Sequence, residues 1–483
     1  MNDSYHKMEH DMRKMIGIWA IPVFCVLIFG GCKVGPNYHP SEPNAPGQWI
    51  GRMGEQNVSS PDANLVNWWT QFNDPNLTSL IDRAIASNLD LKLAKERIRQ
   101  ARAQAGVVSS GFWPSVNATA SATRSRNPGI GSAPARTSNL FSTGLDSIWE
   151  LDIFGGTRRA IEAAKADVTF AVEDRRDVLV SLVSEVAINY VRLRTFQQQV
   201  IIAQDNLKSQ QHSAEIVSKR FENGFASRLD LVNSQSQVAT TLAQIPLLEA
   251  AVQQTIYSLD FLLGLEPGTL GAELSPVSLI PVAPPSVPQG LPSDIIRRRP
   301  DIRRAEASIH GATARIGVAV ANLFPKFNLI GRLDFSGSGV HAVNWDNRAW
   351  SVGPSADWQI FSAGQVRSNI EVRKALQKQS MIIYRQSVLS ALNEVENSLV
   401  AYAKELQRNR ALADAVELNR KAVEISLQLY SEGQTDYINV INAQRSLFVS
   451  EEAYAQSNRD LSTDIIALYK ALGGGWDITA DDE

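Results

Sequence analysis

Few side chains in this sequence are spaced for chemistry. The six histidines (His6, His10, His39, His212, His310 and His341) are scattered, and the two cysteines, Cys25 and Cys32, have no histidine at ligand spacing. A structural zinc site needs such residues clustered, so neither a metal nor a cofactor is expected. Glu150 and Asp152 are the best carboxylate pair for acid–base work. They fall on alternate positions of a strand-like stretch, where two acids facing a water-filled interior are the simpler reading. Arg297-Arg298-Arg299, with Arg303 and Arg304, is the densest basic run. It lacks interleaved aromatics for stacking bases, and Pro300-Asp301 suits a helix start, so no nucleic-acid partner is expected. There is no nucleophile elbow, phosphate-binding glycine loop or paired-histidine zinc motif. The expectation is a non-enzyme with no catalytic, cofactor-binding or metal-binding residue.

What must the sequence position instead? The 483 residues exceed one ordinary domain, and 44% hydrophobic content excludes wholesale disorder. The apolar run Ile16–Gly30 follows Arg13-Lys14 and is shorter than the ~20 residues of a spanning helix. It reads as an export signal, residues 1–31, with either Met1 or the tidier Met12 as its start. Gly30-Gly31-Cys32 closes it as a bacterial lipoprotein signal does, which makes Cys32 the lipid-attachment residue. Pro, Gly and Asn recur from there to about Gly54, a composition suited to an extended tether rather than a packed element. No later apolar run has helical spanning length, so further membrane contact must come from strands.

The rest of the chain is two copies of one unit. FENGFASRLDLVNSQ from Phe221 returns as YSEGQTDYINVINAQ from Tyr430, an offset of 209, and Leu263-Gly264 returns as Leu472-Gly473 at the same offset. Phe112-Trp113-Pro114 faces Leu323-Phe324-Pro325, an offset of 211. Each copy holds a long segment free of Gly and Pro, residues 157–223 and 365–432. Val388, Leu392, Val395, Leu399, Tyr402 and Leu406 open a heptad seam in the second, continued from Ala413 to Tyr430. Ala411, Leu418 and Ile425 form a second line beside it, which predicts more than one neighbour for this helix. Each segment predicts a helix about 100 Å long. Gly224 and Gly433 then become tips of antiparallel helical hairpins, spanning 157–263 and 365–472, with a kink expected at Pro246.

Before each hairpin lie alternating stretches, predicted as strands at about 115–126, 139–154, 326–336 and 349–361. Phe141, Leu145, Trp149 and Leu151 alternate with Ser142, Gly144, Asp146 and Glu150, for example. Strands of this length with aromatic ends fit an outer-membrane barrel. Four strands cannot close one, so chains must assemble; two would give eight strands and three would give twelve. The predicted organisation is a signal peptide (1–31), a lipid-linked tether and equatorial segment (32–74), a first repeat (75–275), a Pro-rich linker (276–292), a second repeat (293–473) and a C-terminal tail (474–483).

Several pieces together resemble a known family. They are Cys32-Lys33-Val34-Gly35-Pro36-Asn37-Tyr38; Trp68-Trp69 with Phe72, Asp74-Pro75 and Leu77; Arg299-Pro300-Asp301-Ile302-Arg303; and Tyr430, Gly433 and Ala443-Gln444-Arg445-Ser446-Leu447. The chain resembles TolC-type outer-membrane factors, in the NodT-like lipoprotein branch that serves resistance–nodulation–division (RND) efflux systems. The resemblance implies a mainly α fold with a transmembrane β part. It implies a homotrimer with a twelve-stranded outer-membrane β-barrel, continued by a twelve-helix periplasmic α-barrel. It implies a lipid-anchored, passive exit duct for drugs or other small molecules, coupled through a periplasmic adaptor to an inner-membrane RND pump. Carried over, Ile438, Asn442 and Arg445 would form the periplasmic gate, and Gly224 and Gly433 would mark the adaptor-contacting tips. Many relatives have aspartate at Asn442, so a carboxylate ring there is not expected. A protein-secretion duct shares this architecture; a trimeric coiled-coil adhesin or structural fibre is the rival of a different class.

Overall fold

The computed structural model describes residues 32–40, 49–50, 58–59, 65–128, 131, 134–281, 287–288, 292–339 and 344–477. The expected signal peptide, with Cys25, lies outside them. Two short strands, β1 (Val58–Ser59) and β4 (Val287–Pro288), pair in parallel. The remaining elements recur in order. In the first half they are α1 (Pro75–Ser87), α2 (Leu89–Ser110), β2 (Ser115–Asn127), β3 (Arg136–Leu151), α3 (Gly156–Glu222) and α4 (Arg228–Leu262). A short α5 (Gly271–Leu274) follows. The second half holds α6 (Pro292–Arg298), α7 (Pro300–Ala321), β5 (Lys326–Gly337), β6 (Arg348–Asp357), α8 (Gln365–Ser431) and α9 (Tyr437–Ala471). Helices α3 and α8 both have 67 residues, and α4 and α9 both have 35. Helix α4 continues through Pro246.

The chain divides into two compact units. The first contains residues 32–40, 97–171 and 304–384, and holds the sheet. Its strand order is β2-β3-β5-β6, antiparallel throughout, so β2 and β6 are open edges within one chain. The register separates the two alternating sets. Asn117, Asp146, Arg332 and Ser351 form one cross-strand row, and Ala118, Leu145, Leu333 and Trp350 form the next. Adjacent rows point to opposite faces. One face is therefore polar and the other apolar, and Leu145, Trp350 and Val352 on the apolar face are exposed. On β3 the apolar face runs from Phe141 to Leu151. Ten steps of ~3.4 Å, at a barrel tilt of ~40°, span ~26 Å, which matches the ~25 Å lipid-facing band of outer-membrane barrels.

Strand ends differ from the alternation pattern. The strands predicted at 139–154 and 349–361 end at Leu151 and Asp357. Asp152 is not a lumen acid. Its carboxylate caps α3, accepting from the Thr157 and Arg158 backbone N–H groups at 3.0 and 2.9 Å, and pairs with the Arg158 guanidinium. Trp149 and Trp358 close the same end of the sheet, donating from their indole N–H to Phe112 and Leu323 carbonyls at 3.0 and 3.1 Å. The duplication thus reaches individual hydrogen bonds.

The second unit contains the remaining described residues, within 42–96, 172–303 and 385–483. Its core packs Trp68, Trp69, Phe72, Leu77 and Leu80 against Val186, Tyr190, Leu259, Val395, Leu399 and Tyr469. The Asp74-Pro75 motif starts α1: Asp74 accepts from the Asn76 and Leu77 N–H groups, Pro75 occupies the first helical position, and the Tyr190 hydroxyl donates to Asp74 at 2.8 Å. On α8, Val388, Val395, Leu399 and Tyr402 of the expected seam are buried, whereas Leu418 and Ile425 of the second line are exposed.

The arginine run is a brace. Arg299 forks onto Asp301 (3.0 and 2.8 Å), reaches Glu394 (2.7 Å) and donates to the Ala471 carbonyl (3.0 Å). Arg298 donates to the Gly473 and Trp476 carbonyls. The buried Trp476 ring lies under two guanidiniums, Arg176 at 4.7 Å and Arg303 at 5.5 Å, and both pair with buried Glu173. These side chains fix the C-terminal segment.

Candidate functional site

Two places concentrate unusual geometry. The first is the pair of hairpin ends in the second unit. Both use the same helix stop. Gly224 adopts φ +80° and Gly433 φ +76°, a region where a side chain would be strained. Gly224 N–H bonds the Phe221 carbonyl and Phe225 N–H reaches back to Arg220. Gly433 N–H bonds Tyr430 and Gln434 N–H reaches Leu429. This pair of bonds satisfies the last carbonyls of a helix while reversing the chain. After the first turn, Ser227 and Asp230 form a reciprocal capping box. After the second, Asp436 stands at the cap position but makes no side-chain cap bond.

Val217, Tyr430, Tyr437, Val440 and Ile441 form a small apolar cluster behind the tips. The Arg220 guanidinium lies 4.9 Å from the Tyr430 ring centre and donates to the Ser431 carbonyl at 2.9 Å. Burial pushes the Tyr437 hydroxyl up to about 12. One turn on, Gln444 donates its amide to Ser213 at 2.8 Å and to Ser209 at 3.3 Å. This polar link joins α9 to α3. It was legible only as part of a family motif, because the serines lie more than 230 residues away.

Ile438, Asn442 and Arg445 share another face of α9, spaced four and three. All three are exposed, and Ile438 keeps 51% of its surface accessible. The structure thus brings these three together on one helix face and leaves that face uncovered by its own chain.

The second place is the start of the described chain. Residues 32–40 are extended, as their composition suggests, yet they are packed within the first unit. Arg159, 1% exposed, causes this. Its guanidinium donates to the Val34 carbonyl (3.0 Å), the Gly35 carbonyl (3.1 Å), Asn37 Oδ1 (2.8 Å) and Glu162 Oε2 (3.0 Å). Lys33 also pairs with Glu162 at 2.5 Å. Gly35 lies so close to Gly317 that a Cβ there would come within 2.5 Å of the Gly317 Cα. Tyr38 stacks on His310 at 4.5 Å and donates to Glu306 at 2.8 Å. Cys32 is a free, exposed thiol at the end of this clip, and its carbonyl lies against Gly155 in the turn between β3 and α3. Cys32 is legible in the sequence and Arg159 is not, because three of its four acceptors lie more than 120 residues away.

Among the described residues no group of three or more His, Cys, Asp and Glu is placed to hold a metal, and no helix is long and apolar enough to cross a membrane.

Comparison with known proteins gives this geometry its context. The family model described as outer membrane efflux protein matches residues 80–265 and 291–474. Nodulation protein T of Rhizobium leguminosarum bv. trifolii is 34% identical over 464 residues, covering 96% of this chain and 98% of the relative. Toluene efflux pump outer membrane protein TtgI of Pseudomonas putida is 31% identical over 477 residues, covering 95% and 99%. The solved outer-membrane channel OprN superposes with a TM-score of 0.86 at 34% identity, covering 92% of this chain and 100% of that one. The chain therefore belongs to the outer membrane efflux protein family and is an outer-membrane efflux channel subunit.

Proposed function

We propose that three copies of this chain form the exit duct of a tripartite pump, lipid-anchored through Cys32 and opened at Ile438, Asn442 and Arg445. The observation that carries this is the sheet, with two unpaired edges and an exposed apolar face. Open edges do not persist in lipid, because each unpaired N–H and C=O there costs several kcal/mol. Pairing β6 of one copy with β2 of the next satisfies both edges. Three copies give twelve strands; two would give a barrel whose interior is largely filled by side chains. The exposed Leu418 and Ile425 supply the matching apolar surface on the helices.

In this reading Gly224 and Gly433 present their hairpins to a periplasmic adaptor, which couples the duct to an inner-membrane RND pump. The cargo is a small molecule, of the class that TtgI carries in its name. The duct supplies a path and a gate, and the pump supplies the energy. Native mass spectrometry of the purified, lipid-processed protein should give three chains per particle, and planar bilayers should show a conducting pore. A stable dimer, or a trimer that never conducts, would overturn the proposal.

A further inference from the structure

Charge is confined to one edge of the sheet's apolar face. On β2 this face reads Val116, Ala118, Ala120 and Ala122, and then Arg124 and Arg126. On β6 it reads Pro354, Val352 and Trp350, and then Arg348. The β3 and β5 positions of the same face are uncharged, and the face has no acid among the described residues. All three arginines lie at the hairpin-loop ends of their strands and are exposed. The two loops, residues 128–135 and 338–347, contain one acid, Asp346.

The strand stagger places these arginines at one level. At the loop end β2 extends to Asn127, whereas β6 begins at Arg348, which sits by register on the row of Phe335, Thr143 and Ala120. At the other end β2 begins at Ser115, while β6 runs on to Asp357 opposite Lys326. Both ends step the same way, which is the shear of a tilted barrel sheet. Arg348 and the Arg124–Arg126 pair therefore mark the same boundary, where the apolar band stops. Trp345 and Trp350 flank it, as aromatic residues do at a membrane surface. The Arg348 guanidinium lies 5.1 Å from the Trp345 ring centre and donates to the Trp345 carbonyl at 2.7 Å.

We propose that Arg124, Arg126 and Arg348 bind the phosphates of a diphosphorylated glycolipid in the outer leaflet of the outer membrane. This rests on the channel reading above, in which the hairpin loops face outward. Guanidinium forks match phosphate oxygens bidentately, and they gain strength where lipid lowers the dielectric. Arg124 and Arg126 are two residues apart on one face, about 7 Å, so a headgroup with two separated phosphates engages them better than one with a single phosphate. Ala118, Ala120 and Ala122 leave a smooth strip below for acyl chains. Pairing of β6 with the next copy's β2 would bring Arg348 to the same headgroup.

The test uses the full lipid-processed protein in detergent, with three probes: diphosphorylated lipid A, its dephosphorylated form, and phosphatidylglycerol. Retained lipid is read by native mass spectrometry, and channel function by bilayer conductance. Wild type should hold the diphosphorylated form at least about tenfold more tightly than either other probe. The triple variant Arg124→Gln/Arg126→Gln/Arg348→Gln should lose that preference yet conduct normally in bilayers free of the glycolipid and melt normally in detergent. A charge-matched control on α8, Lys404→Gln/Arg410→Gln/Lys421→Gln, should keep it. Equal binding of the dephosphorylated lipid or of phosphatidylglycerol to wild type overturns the proposal, as does equal loss in the control. Failure to conduct in wild type would instead count against the channel reading, so the two failures are distinguishable.

Discussion

As the proposed constriction, Ile438 would close the duct with surface that its own chain leaves exposed. In one chain its side chain retains 51% of its surface, because Tyr437, Val440 and Ile441 take the buried face of α9. Full burial of an isoleucine is worth ~1.5–3 kcal/mol, so the exposed half can add ~0.8–1.5 kcal/mol per chain on closure. Three chains meeting at an axis add ~2.3–4.5 kcal/mol, which shifts the closed-to-open ratio roughly 50- to 2,000-fold. Ile438→Ser removes this contribution and should raise open probability or single-channel conductance in planar bilayers. Val440→Ser is the contrasting variant: Val440 is fully buried behind the tip, so its loss should lower stability without mimicking the gate phenotype. With asparagine at 442, wild type should resist block by calcium on the periplasmic side. Asn442→Asp should create block, because three carboxylates around one axis attract a divalent cation strongly. Unchanged conductance in Ile438→Ser would refute Ile438 as the constriction. Calcium block of wild type would move the acids elsewhere, and Asp436, whose carboxylate makes no cap bond, becomes the first residue to substitute.

Three further outcomes follow from the same structure. Arg159→Met leaves the acceptors of residues 34, 35 and 37 without their guanidinium, a loss of ~3–5 kcal/mol by analogy with breaking a buried ion pair, and hydrogen exchange should show residues 33–38 unprotected while the helix ends keep their protection. Asp464 is pushed up to about 6 by burial, with Asp460 and Glu405 adding repulsion. A carboxylate raised in the folded state holds its proton there longer than in the unfolded chain, so stability should fall as pH rises from about 4 to 6, and the melting temperature of Asp464→Asn should lack that decline. Mass spectrometry should find a lipid-modified N-terminal Cys32, and Cys32→Ser should lose the added mass yet still assemble if exported, since a barrel holds far better than one acyl chain.

The repeat, the helix lengths and the strand faces were legible because each is carried by a local period or by an offset within the chain. The 209-residue offset predicts both helix stops, and alternation predicts both faces of the sheet. Elements fixed by distant or backbone partners were not legible. Asp152 keeps the strand period but belongs to the helix cap, since alternation does not register that the ladder has ended. Trp358 and Ile360 extend the β6 pattern past Asp357 for the same reason. Arg159 sits in a long helical segment that reads like any amphipathic stretch, and only the fold brings Val34, Gly35 and Asn37 to it. The second line on α8 shows a further limit. Leu418 and Ile425 follow the same period as the buried seam, so the sequence marks both as packing surfaces without saying which one another chain must cover.

The duplication also sets apart the hairpin proposed to close the gate from its counterpart in the first repeat. Shifting Ile438, Asn442 and Arg445 back by 209 gives Leu229, Asn233 and Ser236 on α4. Leu229 is as exposed as a gate residue would be, and Asn233 repeats Asn442. The backbone turns before them are the same, so the distinction lies in side chains. Around a threefold axis three Arg445 guanidiniums repel one another and stay hydrated, which excludes that level as a dry constriction. Ile438 lies seven residues nearer the tip, about two helical turns or ~10 Å, far enough for apolar closure below a charged ring that remains open to water. The first repeat has serine at the charged position and lacks this contrast between an apolar level and a cationic one. In the proposed duct, a seal at Ile438 beneath a polar, cationic ring would therefore belong to the second hairpin alone, set by side chains that differ on a shared pair of helix stops.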